Sequence, residues 1–293
     1  MSVKILLDTD IGSDIDDAVC LAWLLANPDC ELLGITTVTG EPVKRAMIAS
    51  ALCKIAGKNI PIHPGSANPI LIPQLQIKAK QAKALNSYPH RKEFPSGEAV
   101  EFLRKTIRKY PGEVTLLTIA PLTNIGLLFS ADSEIPPLLK GVVSMCGNFL
   151  REYSWLPETE WNAMGDYHAT SIVYNAGIKM HKSIGLDVTS RVTMKPEEFK
   201  KRFSSHKLLR PVLEFSKEFF KEWDVVTFHD PLAAVSIFDK AVCTFERGNV
   251  EIETSEKNKQ GLTRWYPGKK GKQMVAVNVD PGRFFERYFS VFK

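Results

Sequence analysis

Short apolar runs rich in β-branched residues alternate along this chain with longer segments of helical periodicity. This alternation is typical of βαβ units, whose strands form a parallel sheet with helices on its faces. The sequence therefore predicts an α/β fold with a mostly parallel central sheet, flanked by helices in a Rossmann-like core. The predicted strands are residues 4–8, 32–38, 60–63, 114–119, 141–146, 179–184, 250–254 and 274–277. The predicted helices are residues 16–26, 42–56, 97–110, 122–129, 164–175, 196–203 and 207–221, with another that begins after His229.

The domain organisation follows from length and composition. The chain has 293 residues, of which 44% are apolar and 24% charged, and no Gly/Ser linker or change in composition divides it. We therefore expect one domain over residues 1–293. Residues 68–95 are the least regular part and are rich in proline, lysine and glutamine. This segment, called the flap below, is expected to lie over one edge of the sheet beside an active site.

Charge and cysteine usage exclude several classes of protein. The net charge of +5 is modest, and the basic clusters contain no interleaved aromatic residues that could stack on nucleic-acid bases. The five cysteines are scattered and none forms a CxxC pair, which argues against disulfides and zinc. No apolar stretch is long enough to span a membrane. We expect a cytoplasmic protein without nucleic-acid or membrane partners.

Five carboxylates lie at or just after the end of the first predicted strand, within the short sequence DTDIGSDIDD. Carboxylates packed this closely repel one another unless a cation compensates them. Oxygen-only ligands favour a hard ion, Ca²⁺ or Mg²⁺. The end of a parallel strand is also where α/β proteins bind ligands, so the sequence predicts a metal site there. The acids are Asp8, Asp10, Asp14, Asp16 and Asp17.

The acidic segment and several later segments resemble those of a known family. DTDIGSDIDDA resembles the N-terminal signature of the nucleoside hydrolases, the calcium-dependent ribohydrolases. Further segments match in the same order over most of the chain, and the resemblance implies the nucleoside hydrolase fold. They are TIAPLTNIGLL at 118–128, EWNAMGDYHA at 160–169 and FHDPLA at 228–233, supported by GITTVTG at 34–40 and GLDVT at 185–189.

The resemblance implies a Ca²⁺ site and a mechanism. Asp10, Asp17 and Asp230 would bind the ion together with the main-chain carbonyl of Ile119. The family uses this ion to hold a nucleophilic water, and Asp10 would also act as the general base. The substrate would be a small ribonucleoside, hydrolysed to free base and ribose.

The resemblance also implies contacts to the sugar. Asp16 and Asn162 would bind the ribose 2′- and 3′-hydroxyls beside the ion, and Glu160 would bind the 5′-hydroxyl. Carboxylates around the sugar stabilise the oxocarbenium-like transition state. A site built on these hydroxyls should discriminate against 2′-deoxyribose.

The leaving-group side is expected to use a histidine and aromatic residues. His229 would face the departing base as a proton donor. Trp223 is a candidate for the base pocket. His90 lies in the flap and is a candidate for substrate contact.

Three departures from the family pattern affect the expected substrate. Glu41 stands where the family usually carries Asn, and we expect it to bind a substrate hydroxyl or to alter the charge around the metal. Ser13 and Ile15 lengthen the acidic turn, so Asp14 is an additional acid without an assigned role. Asn148 is a poor substitute, by spacing, for the Gly-Asn element of many relatives, and is expected on the substrate side.

Two other functions fit parts of the pattern. A DxDxG sequence after a first strand also occurs in Mg²⁺-dependent phosphohydrolases, but that function leaves Glu160, Asn162 and Asp230 without a role. A ribose- or nucleoside-binding protein with little turnover, or an enzyme for an atypical ribosylated substrate, is the other alternative. The resemblance further implies a homo-oligomer, either a dimer or a tetramer.

Overall fold

The computed structural model describes residues 2–292, which build a nine-stranded sheet in the order β10-β9-β11-β6-β5-β4-β1-β2-β3. All pairings from β11 to β3 are parallel, whereas β9 pairs antiparallel with both β10 and β11. The expected mostly parallel α/β fold is thus confirmed. The strands are β1 (Val3–Thr9), β2 (Cys30–Thr37), β3 (Ile62–Pro64), β4 (Val114–Ile119), β5 (Gly141–Met145), β6 (His181–Ile184), β9 (Cys243–Ile252), β10 (Thr263–Pro267) and β11 (Gln273–Val279), with β7 (Thr193–Met194) and β8 (Val226–Thr227) as a separate antiparallel pair.

Helices cover both faces of the sheet. Along β1, Ile5 and Leu7 pack into one core cluster and Leu6 into the other, because successive side chains of a strand point to opposite faces. The central strands are therefore buried on both faces, as in β4, where all six residues are buried. The helices are α1 (Asp16–Ala26), α2 (Pro42–Ile55), α3 (Ala99–Lys109), α4 (Thr123–Ala131), α5 (Ile135–Leu138), α6 (Trp161–Gly165), α7 (Tyr167–Asn175), α8 (Leu186–Thr189), α9 (Pro196–Phe203), α10 (Leu209–Phe219), α11 (His229–Phe238) and α12 (Pro281–Phe289).

The antiparallel edge of the sheet differs most from the prediction. β9 begins at Cys243 instead of residue 250, and β10 and α12 are not predicted at all. β9 and β10 form a partly exposed hairpin whose apolar residues are interrupted by charges. α12 is short and rich in aromatic residues, with Phe284 and Tyr288 buried one helical turn apart.

The predicted helix 164–175 is also divided in two. Asp166 adopts φ −153° and ψ 79°, and its side chain accepts the N–H of Ala169 as the N-cap of α7. α6 ends at Gly165, immediately before this cap. An aspartate that caps a new helix interrupts the helical periodicity around it.

The flap contains one regular element, the 3-10 helix Lys80–Ser87. Leu85 is buried, and the ring of Tyr88 meets Phe215 of α10 edge-on with 5.7 Å between centroids. These apolar contacts hold the later part of the flap against α10. The earlier part, before residue 80, has no helix or strand.

The cysteines and the helices bear on two further expectations. All five cysteines are buried and unpaired. Between residues 2 and 292, no helix has the length and apolarity needed to cross a bilayer.

Candidate active site

A cavity of about 760 Å³ opens at the carboxyl ends of the central strands. Ile119, the last residue of β4, and Met145, the last residue of β5, line its floor. The predicted strand-end location of the site therefore coincides with a large cavity. Five aspartates line it: Asp10, Asp14, Asp16, Asp17 and Asp230.

The turn of residues 10–15, called the acid turn below, connects β1 to α1. Gly12 has φ +118°, and a Cβ at this position would lie 2.8 Å from Ile48 and 3.2 Å from Ala79. Glycine is thus required both for the backbone conformation and for the packing. Asp16 and Asp17 then occupy the first turn of α1, where the helix dipole favours negative charge.

The first turns of α1 and α11 bring three carboxylates together. Oxygen atoms of Asp16, Asp17 and Asp230 lie within 4.8 Å of one another, and all three residues are buried. Asp16 Oδ2 accepts the main-chain N–H of Asp230 at 3.1 Å, and Asp17 Oδ1 accepts the hydroxyl of Thr9 at 2.5 Å. The group thus includes Asp16, expected on the sugar, beside the expected ligands Asp17 and Asp230. Asp10 lines the same cavity, and its Oδ2 accepts Gln76 Nε2 at 3.2 Å.

Electrostatics make this group costly without a cation. Burial raises the pKa of Asp10 to about 6. Burial, followed by repulsion from neighbouring aspartates, raises the pKa values of Asp16, Asp17 and Asp230 well above the usual range. A divalent cation would relieve both the desolvation and the repulsion. The donors are all oxygens, so they fit a hard cation such as Ca²⁺.

Glu160 and Asn162 flank the cavity at the start of α6. Glu160 is the N-cap, and its carboxylate accepts the N–H groups of Asn162 at 2.7 Å, Ala163 at 2.9 Å and Gly147 at 3.0 Å. Burial raises the pKa of Glu160 to about 7 despite these bonds. Asn162 donates its Nδ2 to the carbonyl of Met145 at 3.0 Å, which fixes its amide plane at the cavity wall.

His229 lies on the wall next to Asp230. Its Nδ1 lies 2.7 Å from the hydroxyl of Thr189, and burial lowers the pKa of the imidazole to about 4. The ring is therefore uncharged near neutral pH. Thr189 belongs to the GLDVT segment, so that motif orients a cavity residue.

Three expected substrate residues do not line the cavity. The Nδ1 of His90 lies 2.8 Å from the carbonyl of Tyr88, within the flap. Asn148 is buried, and its Nδ2 donates to the carbonyl of Pro157 at 2.7 Å. The third, Glu41, holds the flap instead.

Glu41 has positive φ, 56°, just before α2. Its carboxylate accepts Lys44 Nζ at 2.7 Å, the N–H of Ala79 at 3.0 Å and Lys78 Nζ at 3.4 Å. These bonds, led by the one from Lys44, lower the pKa of Glu41 to about 2. The structure thus places this extra charge on lysines of α2 and the flap.

The mouth of the cavity, called the outer rim below, consists mainly of residues that the sequence does not predict as site residues. It includes Trp223, the candidate for the base pocket, with 61% of the residue exposed. Trp155 and Trp161 are also exposed, at 67% and 41%, and line the same cavity. Trp155 and Trp223 lie in loops and Trp161 begins the short helix α6, so none of them gives a periodic signal and only their size hinted at a binding role. The flap contributes Gln76, Lys78 and Lys80.

Other polar residues of the matching segments hold the surrounding loops. Asn124 donates to Asp8 Oδ1 at 2.8 Å and to the carbonyl of Thr37 at 3.2 Å. Asp187 accepts three consecutive main-chain N–H groups of residues 149–151. Burial raises the pKa of Asp8 to about 7, and its side chain does not line the cavity. These residues build the site without facing it.

Comparison with known proteins agrees with this geometry. The family model described as inosine-uridine preferring nucleoside hydrolase matches residues 5–286. Uridine nucleosidase 1 of Arabidopsis thaliana is 29% identical, with 89% of this chain and 83% of the relative covered. The pyrimidine-specific ribonucleoside hydrolase RihA of Salmonella gallinarum is 28% identical, with 98% and 97% covered.

Solved structures give the same fold. The purine-preferring ribonucleoside hydrolase from Gardnerella vaginalis superimposes with a TM-score of 0.84 at 22% identity, covering 99% of this chain and 98% of that chain. The inosine-uridine preferring nucleoside hydrolase from Bacillus anthracis has a TM-score of 0.79 at 22% identity, with 99% of each chain covered.

Proposed function

This chain belongs to the inosine-uridine preferring nucleoside hydrolase family, and from that membership we propose a Ca²⁺-dependent hydrolysis of ribonucleosides to free base and ribose. The observation that carries the proposal is the convergence of five aspartates on one cavity at the sheet's carboxyl edge. Members of the family are hydrolases of N-glycosyl bonds, and the proposal extends to the cation and to the individual residues.

Asp10, Asp17 and Asp230, with the main-chain carbonyl of Ile119, are the proposed cation ligands, and Asp16 lies in the same carboxylate group. A bound Ca²⁺ would lower the pKa of water and bind sugar hydroxyls. The buried carboxylates support this assignment because their charges need a counter-ion.

Asp10 is the proposed general base. With a pKa of about 6, its carboxylate is ionised at neutral pH and basic enough to accept a proton from attacking water. Gln76 donates to Oδ2, which orients the carboxylate. The other oxygen, Oδ1, is then the atom that we propose accepts the proton.

The proposed ribose contacts are Asp16, Asn162 and Glu160. Their carboxylate and amide groups lie on the cavity wall, held by main-chain hydrogen bonds. Negative charge at fixed positions stabilises the positive charge that develops on the sugar as the N-glycosidic bond breaks. A missing 2′-hydroxyl would leave these buried groups without a partner.

The proposed leaving-group side comprises His229 and the tryptophans of the outer rim. A neutral imidazole can donate an N–H hydrogen bond to the departing base, while Trp223 offers an apolar face for stacking. The proposal leaves out Glu41, Asn148 and His90, because these side chains do not line the cavity.

The family resemblance also implies a homo-oligomer, which we propose for this chain. Sedimentation or light scattering would test the oligomeric state, and a monomer at all concentrations would contradict the proposal.

The function can be tested with a panel of inosine, guanosine, adenosine, uridine and cytidine, each with its 2′-deoxy counterpart. We expect reducing sugar to be released from at least one ribonucleoside in Ca²⁺. The matching deoxynucleoside should react about 10⁴-fold more slowly. Absence of sugar release from every ribonucleoside in a Ca²⁺-loaded sample would contradict the proposal.

A further inference from the structure

One positive charge lies inside the protein directly beneath the acid turn. Arg45 is fully buried, with 0% exposure, and is the only Lys or Arg in the buried class among residues 2–292. It lies in the first turn of α2, on the helix side that also buries Ile48, Ala49 and Leu52. A guanidinium on an apolar helix face is costly to desolvate, so its partners need to compensate it.

The partners of Arg45 are main-chain groups of two turns. Nη1 and Nε point to opposite turns, so the planar guanidinium bridges the acid turn and the segment before α2. The fixed contacts leave Nη2 buried without a partner. The acceptors are the carbonyls of Asp10, Ile11 (3.3 Å), Thr39 (3.3 Å) and Gly40 (2.8 Å), and the hydroxyl of Ser13 (3.0 Å).

A second buried side chain holds the other half of the acid turn without a charge. Gln81, from the 3-10 helix of the flap, donates Nε2 to the carbonyls of Ser13 at 3.2 Å and Asp14 at 2.6 Å. It too has 0% exposure. The chain therefore offers a matched pair of clamps on the same turn, of which only Arg45 is charged.

The charge of Arg45 acts on the carboxylates above it. Burial is the main cause of the raised pKa values of Asp10 and Asp17, and the guanidinium opposes that increase in both. Of the charged groups that act on Asp10, Arg45 has the largest effect. A fixed positive charge at this position lowers the repulsion among the acids, and for the same reason it repels an incoming cation.

We propose that Arg45 is a positioning residue that serves as an internal counter-charge: it stabilises the acid turn while no cation is bound and thereby limits Ca²⁺ affinity. This inference rests on the proposed cation site. The charge of this one buried side chain would increase the stability of the metal-free protein and, by the same amount of free energy, decrease its affinity for Ca²⁺. Because the effects are linked, a variant that destabilises the metal-free protein selectively must bind Ca²⁺ more tightly.

The test compares thermal unfolding of the full chain in EDTA and in saturating CaCl₂, with calorimetric titration of CaCl₂ into the metal-free protein. For Arg45→Met we expect a larger loss of Tm in EDTA than in Ca²⁺. The Ca²⁺-induced rise in Tm should exceed that of the wild type by about 2–4 °C. The Kd for Ca²⁺ should fall about fivefold. A rise equal to or smaller than that of the wild type would overturn the inference.

Two control variants separate charge from main-chain support. Gln81→Leu loosens the same turn without changing its charge, so its Ca²⁺-induced rise should be no larger than that of the wild type. A rise as large as in Arg45→Met would assign the effect to the turn and overturn the inference. Lys54→Met removes an exposed charge from the same helix, and its rise should stay within about 1 °C of the wild type.

A double variant keeps the test decisive if Arg45→Met does not fold in EDTA. Removal of one acid should then restore folding, so Asp10→Asn/Arg45→Met is expected to fold without Ca²⁺. If the double variant also fails to fold, the guanidinium acts through its hydrogen bonds alone and the inference is overturned. If the wild type shows no Ca²⁺-induced rise and no heat of binding, the proposed cation site fails, independently of Arg45.

Discussion

The inner and outer halves of the cavity are built in opposite ways. The inner half consists of carboxylates at the end of β1 and at the starts of α1 and α11. They are buried, and they accept hydrogen bonds from main-chain N–H groups or from side chains of a neighbouring element. The outer rim consists of loop residues such as Trp155 and Trp223, each more than half exposed. The residues proposed for the chemistry are thus fixed by the fold, whereas those proposed to meet the base can change with little effect on the fold.

The largest effect on activity is expected for Asp10→Asn in the inner half. The amide cannot accept the proton from water, so kcat should fall about 10²–10⁴-fold in saturating Ca²⁺. Ribose release measures this. Asp29→Asn, an exposed acid just after α1, is the control and should keep wild-type kcat. If Asp10→Asn retains more than about a tenth of the activity, the inner half does not contain the base.

The carboxylates of the inner half should also make the stabilisation by Ca²⁺ depend on pH. The pKa of Asp10 is raised to about 6 in the metal-free protein, and the pKa values of Asp17 and Asp230 lie well above the usual range. The folded state then binds more protons than the unfolded state, so these groups lose their stabilising effect as pH rises above about 4. Ca²⁺ replaces those protons. The Ca²⁺-induced rise in Tm should therefore increase between about pH 5 and pH 8, and a rise that shrinks with pH would be inconsistent with carboxylate ligands.

At the outer rim, Trp223→Ala should lower kcat/KM about tenfold through lost stacking on the base. The loss should differ between purine and pyrimidine ribonucleosides. The Kd for Ca²⁺ should not change, because the tryptophan belongs to the other half of the cavity. Tyr266→Ala, an aromatic residue 49% exposed on β10, is the matched control. An equal loss of kcat/KM in the control, or a changed Kd for Ca²⁺, would contradict the assignment of base binding to the outer rim and of Ca²⁺ binding to the inner half.

The smallest effect is expected for an ion pair at the rim. Lys80 Nζ lies 2.5 Å from Glu222 Oε1, joining the flap to the turn that follows α10, and both side chains are about half exposed. Lys80→Glu should raise KM by no more than about threefold, and less at high salt. The charge-swapped variant Lys80→Glu/Glu222→Lys should restore KM. A tenfold decrease in kcat would show that this pair contributes to the chemical step, which contradicts its assignment to the outer rim.

The sequence predicted the elements whose signals are local. α1 and α9 have the predicted bounds. Two acids in the first turn mark the start of both helices, and basic residues in the last turn mark the end of α9. The first part of β9, and all of β10 and α12, escaped prediction because charges interrupt these strands and aromatic residues dominate the helix.

The site divides in the same way. The acids of the inner half were predicted because strand-end carboxylates and the family motifs coincide in sequence. The partners of Glu41 and the role of Gln76 depend on how the flap docks, which no local pattern records. Arg45 had a readable signal, a charge at helical spacing from Ile48 and Leu52 on a buried face, and its meaning became clear only from the contacts beneath the acid turn.

The central claim is that the buried carboxylates hold one divalent cation on which hydrolysis depends. The most direct measurement is ribose release by wild-type protein treated with excess EDTA, followed by stepwise addition of Ca²⁺. We expect turnover to fall to background and to return along a saturable curve as free Ca²⁺ increases. Undiminished turnover in EDTA would contradict the claim.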